Sequence, residues 1–134
     1  MNIEVKGLVL RTIDYKESDR LITIYTEERG IVTALARGAR GLKSRKMSAT
    51  MQFCYSSFVL DERGDKLSVK EASLIESFYS IRHTIDGLAL AGYIVEVLYE
   101  CGTTEPDTEL LRLALNSLYA ITTERYSTAK MLNL

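Results

Sequence analysis

Ten consecutive residues, Arg37-Gly38-Ala39-Arg40-Gly41-Leu42-Lys43-Ser44-Arg45-Lys46, hold five cations and no carboxylate. Lys and Arg at that density suit phosphate oxygens, by charge neutralisation rather than bond chemistry. Gly38 and Gly41 loosen the segment, which reads as a flexible loop after a strand. A solvated loop with no ligand is the other reading of the same charge run. The segment is not a P-loop. That motif places four residues between its glycines and Lys directly after the second. Here two residues separate Gly38 from Gly41, and Leu42 precedes Lys43.

Other chemistry finds little support. His83 is the only histidine. Beside Arg82 near a helix start, it reads as a surface or capping residue, and no Ser/His/Asp set can be built on it with any specificity. Cys54 and Cys101 lie far apart in apolar surroundings and read as buried thiols, without zinc spacing. Asp14, Glu17 and Asp19 cluster beside Lys16 and Arg20, which favours a turn laced with ion pairs over a metal site. The expectation is no catalytic residue, no metal and no cofactor. Tyr15, Tyr25, Phe53, Tyr55 and Phe58 fall among the strands. Unpaired bases stack on such rings at about 1–3 kcal/mol each. Strand alternation lets only some of them face outward, and aromatics in small barrels are usually core.

The chain has 134 residues, 46% hydrophobic and 26% charged, within the range of a folded protein. No apolar run approaches the roughly 20 residues of a membrane span. The start, Met1-Asn2-Ile3-Glu4-Val5-Lys6, lacks signal-peptide design, which points to the cytoplasm. The net charge of −1 hides an asymmetry. Residues 1–80 carry 13 cations against 11 carboxylates; residues 81–134 carry 4 against 7. A polyanion would meet the first part of the chain.

The elements that must position the basic segment are strands. Ile3 to Ile13 is a long strand with Gly7 inside it. The pattern changes there from alternation to the continuous Leu8-Val9-Leu10, which suggests a bulge or a coil. Arg20 to Thr26 and Ile31 to Ala36 follow, joined by Glu27-Glu28-Arg29-Gly30, with Gly30 where positive φ is needed. Gln52 to Leu60 and Leu67 to Ala72 flank a second turn at 61–65. Five short strands with a long third connection fit a five-stranded antiparallel OB-type β-barrel. An SH3-like barrel fits the spacing nearly as well.

From about Ser80 the period becomes helical. Ile81, Ile85, Leu88, Gly92, Val95 and Tyr99 fall on one face; Arg82, Asp86, Glu96 and Glu100 fall opposite. Gly102 reads as a C-cap, Thr104 as the next N-cap with Pro106 in the first turn. Leu111, Ala114, Leu118 and Ile121 form the second stripe, and a third helix is expected after Ser127. The fold class is α+β: a barrel at 1–79 and the start of an α-helical domain at 80–134, truncated at the carboxy end. Leu118, Ile121, Met131, Leu132 and Leu134 would then lie bare, which favours self-association.

Several of these residues form a pattern. Gly7-Leu8-Val9-Leu10-Arg11-Thr12, Asp14-Tyr15 and Glu17-Ser18-Asp19-Arg20-Leu21 resemble the amino-terminal signature of the RecO family of DNA repair proteins. The match continues through Gly30-Ile31-Val32, Ala36-Arg37-Gly38-Ala39-Arg40 and Lys43-Ser44-Arg45, and more loosely through Ile85-Asp86-Gly87-Leu88 and Tyr93-Ile94-Val95-Glu96. The resemblance implies an OB-fold barrel and a helical domain. It implies a non-enzymatic recombination mediator that binds single- and double-stranded DNA, anneals strands and works with RecR. It also implies a role in helping RecA displace single-strand-binding protein. The family is longer, and its later part often holds a cysteine zinc site that has no counterpart here. Annealing needs cations and no bond chemistry, which matches the residues. Arg11, Arg20, Arg37, Arg40, Lys43, Arg45 and Lys46 are the expected nucleic-acid contacts. An RNA-binding OB-fold module and a protein–protein module that docks an acidic tail are the two other classes.

Overall fold

The structure is a computed structural model describing the backbone of residues 1–132 and the side chains of residues 1–122. Five strands come first: β1 (Asn2–Tyr15), β2 (Asp19–Thr26), β3 (Gly30–Ala36), β4 (Tyr55–Arg63) and β5 (Lys66–Glu76). A short helix, α1 (Arg45–Ala49), lies between β3 and β4; α2 (Ile85–Cys101) and α3 (Thr108–Leu132) follow a 3₁₀ turn at Tyr79–His83. The strands close into a barrel in the order β1-β2-β3-β5-β4. All pairings are antiparallel except β3 with β5, a parallel contact of Leu35 with Ser68. This is the expected OB-type barrel followed by helices, and it displaces the SH3-like alternative.

β1 serves two neighbours. Residues 2–8 pair with β4 and residues 7–15 with β2. Gly7 sits at the switch, where a Cβ would come within 2.5 Å of Ile24 Cγ2 and 2.7 Å of the Tyr25 carbonyl oxygen. The bulge itself lies further on, between Val9 and Arg11. Leu8-Val9-Leu10 is a continuous apolar run because both faces of the strand are buried. Val9 points into the barrel with Val5, Ile22, Ile24, Phe58 and Leu60. Leu8 and Leu10 point the other way, with Tyr25 and Phe53, into a second core shared with α2 and α3.

Gly30 has the expected positive φ, +65°, in the β2–β3 turn. β4 begins at Tyr55, not Gln52, and runs through Arg63, so the β4–β5 turn shrinks to Gly64 and Asp65. The expected helical stripe is only partly the buried one. α2 buries Gly87, Ala91, Val95 and Leu98, whereas Ile85, Leu88 and Tyr99 are exposed. Small residues win because the helix approaches closely: a Cβ on Gly87 would lie 2.7 Å from the Ile81 carbonyl oxygen. Arg82, expected on the polar face of this helix, is half-buried just before it. It donates to the carbonyls of Ser77 and Gln52 and ties the helical part to the segment before β4.

Gly102 caps α2, but its backbone is extended, with φ −74°. The glycine is needed for closeness instead, because a Cβ would stand 2.2 Å from Ile31 Cδ1. Asp107, not Thr104, caps α3, its Oδ1 accepting from the Leu110 amide at 3.0 Å. α3 continues through Ser127 to Leu132 as one helix, so no third helix starts there. Leu111, Ala114 and Leu118 are buried as expected, and Ile121 packs against them. Leu118 and Ile121 are therefore not a bare patch; Met131, Leu132 and Leu134 lie outside the described side chains. Cys54 is buried and Cys101 is exposed, against the expectation of two buried thiols.

Candidate nucleic-acid interface

The basic loop is tied down by hydrogen bonds at several points along its length. Ala39 is fully buried in the barrel core and anchors its middle. Asp19 Oδ1 accepts from the Gly38 amide at 2.9 Å. The Arg40 amide donates to the Ser18 carbonyl at 3.0 Å. The Arg40 guanidinium donates to the Lys16 carbonyl at 3.1 Å and lies 3.6 Å from the Asp14 carboxylate. Two successive turns follow, Gly41 to Gly38 and Ser44 to Gly41. Ser44 then caps α1, its hydroxyl accepting from the Lys46 amide at 3.1 Å. Lys46 Nζ reaches back to the Arg37 carbonyl at 3.3 Å and closes the loop on itself. The acidic turn thus pairs with this loop and not with Lys16 and Arg20.

The seven predicted contacts separate by environment. Arg20 is partly buried beneath α1, its Nη1 donating to the Met47 carbonyl at 2.8 Å and Thr50 Oγ1 at 3.1 Å. Alternation carries it to the same side of β2 as Ile22 and Ile24. Arg11 lies against α2, 3.2 Å from Glu96 Oε1 and with its guanidinium 3.5 Å from the centre of the Tyr99 ring. Arg37, Arg40, Lys43 and Arg45 are exposed on the loop, and Lys46 is half-buried. The structure brings these five together and sets Arg11 apart.

Two clefts of similar volume open beside the loop. One, about 550 Å³, runs over the outer side of β2, β3 and the β4–β5 turn. It is lined by Tyr15, Leu21, Thr33, Arg37, Arg63 and Lys66, with Asp61 and Asp65. The faces of strands 2 and 3 and the loops after strands 1 and 4 are where OB barrels take oligonucleotides. Arg63 is bound to Asp61 at 3.0 Å. The other cleft, about 530 Å³, lies between Ser44-Arg45-Lys46 and the β4–β5 ribbon. Ser57, Val59, Lys70, Glu71, Ala72 and Ser73 form its floor. Sequence reading missed Lys70. The register slips between Val59 and Leu60, leaving Lys70 unpaired opposite them as a bulge. The signal was the polar doublet Lys70-Glu71 in an otherwise alternating strand.

Of the five aromatic candidates, Tyr25, Phe53 and Phe58 are buried. Tyr55 is half-buried and donates its hydroxyl to Glu27. Burial and that hydrogen bond push its phenol well above the usual value. Tyr15 alone of the five is exposed, at 43%, and it stands in the β2–β3 cleft. Lys16 Nζ hovers 5.4 Å from its ring. Among the described residues no three His, Cys, Asp or Glu side chains are grouped to hold a metal. None of the described helices is long and apolar enough to cross a membrane.

Residues 1–78, more than half of the chain, match the family model described as the amino-terminal part of recombination protein O. The chain belongs to the RecO family. It is 37% identical over 120 residues to the DNA repair protein RecO of Acetivibrio thermocellus, covering 89% of this chain and 48% of that protein. The RecO of Clostridium novyi is 34% identical over 117 residues, covering 87% of this chain and 46% of its own length. The RecO of an Anaeromyxobacter species is 37% identical over 122 residues, with 89% and 48% covered. The chain spans about half the length of these curated relatives, and the matched family region covers the whole barrel, including the held basic loop.

Proposed function

We propose that this chain is the DNA-binding part of a non-enzymatic recombination mediator in DNA repair. The observation that carries this reading is the basic loop, pre-ordered by Asp19, Arg40 and Lys46, beside the face that OB barrels use for oligonucleotides. Arg37, Arg40, Lys43, Arg45 and Lys46 contact phosphates, while Arg11 and Arg20 position the elements around them. A loop held in place loses less conformational entropy on binding than a mobile one. Phosphate contacts are indifferent to sequence, which suits a protein that holds both single- and double-stranded DNA and brings complementary strands together. Tyr15 offers one ring for a base of the single strand. The family resemblance extends this to cooperation with RecR, to RecA loading and to displacement of single-strand-binding protein.

The test is the salt dependence of binding to labelled single-stranded DNA. Each phosphate contact contributes about 0.7 to the slope of log affinity against log salt. Lys43→Ala/Arg45→Ala/Lys46→Ala should flatten that slope by about two units and weaken binding equally across sequences. RNA of the same length, bound more tightly than DNA, would favour an RNA-binding module. An unchanged slope with unchanged affinity removes the loop from the interface.

A further inference from the structure

The more positive cleft is not the one on the β2–β3 face. Arg37, Arg63 and Lys66 there face Asp61 and Asp65, and Arg63 is already bound to Asp61. The cleft floored by β4 and β5 holds Arg45, Lys46 and Lys70 against the single carboxylate of Glu71. The two clefts are linked through the loop, where Lys46 Nζ donates to the Arg37 carbonyl. Arg37 lines one cleft and Lys46 the other.

We propose that a nucleic-acid backbone bound on the β2–β3 face continues past Arg37 and Lys46 into the β4–β5 cleft, where the bulged Lys70 holds its phosphates. This inference rests on the DNA-binding reading above and extends it to a second cleft. The bulge exposes Lys70 on the floor of that cleft and a bulge re-aims a side chain relative to the regular pleat. Ser57 and Ser73 are directly opposite in register on the same floor, and their hydroxyls can donate to phosphate oxygens. Glu71 opposes an anion, and the three cations outnumber it. The continuity with the β2–β3 face favours a nucleic-acid strand over an acidic peptide, which would need only one of the two clefts.

The test is binding of labelled oligothymidylates from about 4 to about 16 nucleotides, the span of OB-fold site sizes, to the full 134-residue chain. For the parent, affinity should rise with length across the range. Lys70→Gln should bind the shortest oligonucleotide as the parent does and lose much of the gain with length. Its salt slope on the longest should fall by about 0.7, one contact. Lys70→Arg, which keeps the charge, should retain the gain. Arg63→Gln/Lys66→Gln should weaken short and long alike. All these side chains are on the surface, and unchanged circular dichroism and melting keep the comparison clean. Equal weakening of every length by Lys70→Gln, or none at any length, overturns the inference and leaves the β2–β3 site standing. A parent chain that binds no oligonucleotide of any length overturns the DNA-binding reading, and this inference with it.

Discussion

Arg20 places its charged head group, partly buried, against a backbone carbonyl and a threonine hydroxyl. Its two hydrogen bonds, to Met47 and Thr50, fasten both sides of the last turn of α1 to β2. Hydrogen bonds from charged groups are worth about 1.5–3 kcal/mol when one partner is removed. Arg20→Ala should therefore lower the free energy of unfolding by about that amount in a urea titration. The salt slope of DNA binding should stay at the parent value, because no phosphate contact is removed. The opposite pattern, a flatter slope at unchanged stability, would put Arg20 at the phosphate. Lys43, which is exposed, should show that opposite pattern when changed to Ala. Charge type alone does not divide these residues. What divides them is strand parity for Arg20 and contact with α2 for Arg11, and only the first of these can be read along the chain.

At the level of elements, the β2–β3 turn and the α2–α3 connection are one joint. The Ile31 amide donates to the Thr103 carbonyl at 3.0 Å, and Ile31 fills the space beside Gly102. A Cβ on Gly30 would meet that same Thr103 carbonyl at 2.4 Å. Gly102→Ala keeps an allowed backbone, since φ is −74°, and fails for space alone. Overpacking of this kind costs typically about 1–3 kcal/mol, read as a lower melting temperature; an unchanged melt would mean that Ile31 moves aside freely. The strands were legible because β-branched runs and turn glycines are local signals. The α2 face was not. That helix carries apolar residues nearly all round, so several stripes of the right spacing coexist, and packing against the 3₁₀ turn, α3 and β1 selects the one with Gly87 and Ala91. The cap at Asp107 was hidden by the equally cap-like Thr104, whose neighbour Thr103 is instead held by Ile31. Lys70 was missed because its one mark along the chain is the polar doublet Lys70-Glu71, while the slip in register that exposes it involves two strands.

Taken whole, the barrel and the helices share a core. Leu8, Leu10, Tyr25 and Phe53 from the barrel side pack with Ile81, Ala91, Leu98, Leu111 and Leu118. Such a layer couples the two parts, so thermal unfolding should be a single transition by calorimetry and by circular dichroism. A chain ended at residue 79 would bare those barrel residues and should aggregate or stay unfolded. Two separated transitions, or a well-folded 1–79 fragment, would show instead that the division at 79 separates independent domains. The α2–α3 surface opposite this core leaves Leu90, Tyr93, Val97 and Leu113 exposed, an apolar patch of the kind that mediates association.

The two-partner course of β1 also sets an order of events. Its residues 2–8 pair with residues 55–61, and the Glu62 amide donates to the Met1 carbonyl at 2.9 Å. The first part of β1 waits for partners more than forty positions away. Until those arrive, the hairpin of β1 with β2 carries an open apolar edge, the kind of surface that pairs with other chains. Contacts so distant in sequence slow closure, so a growing chain stays in its most aggregation-prone form until β4 has been made.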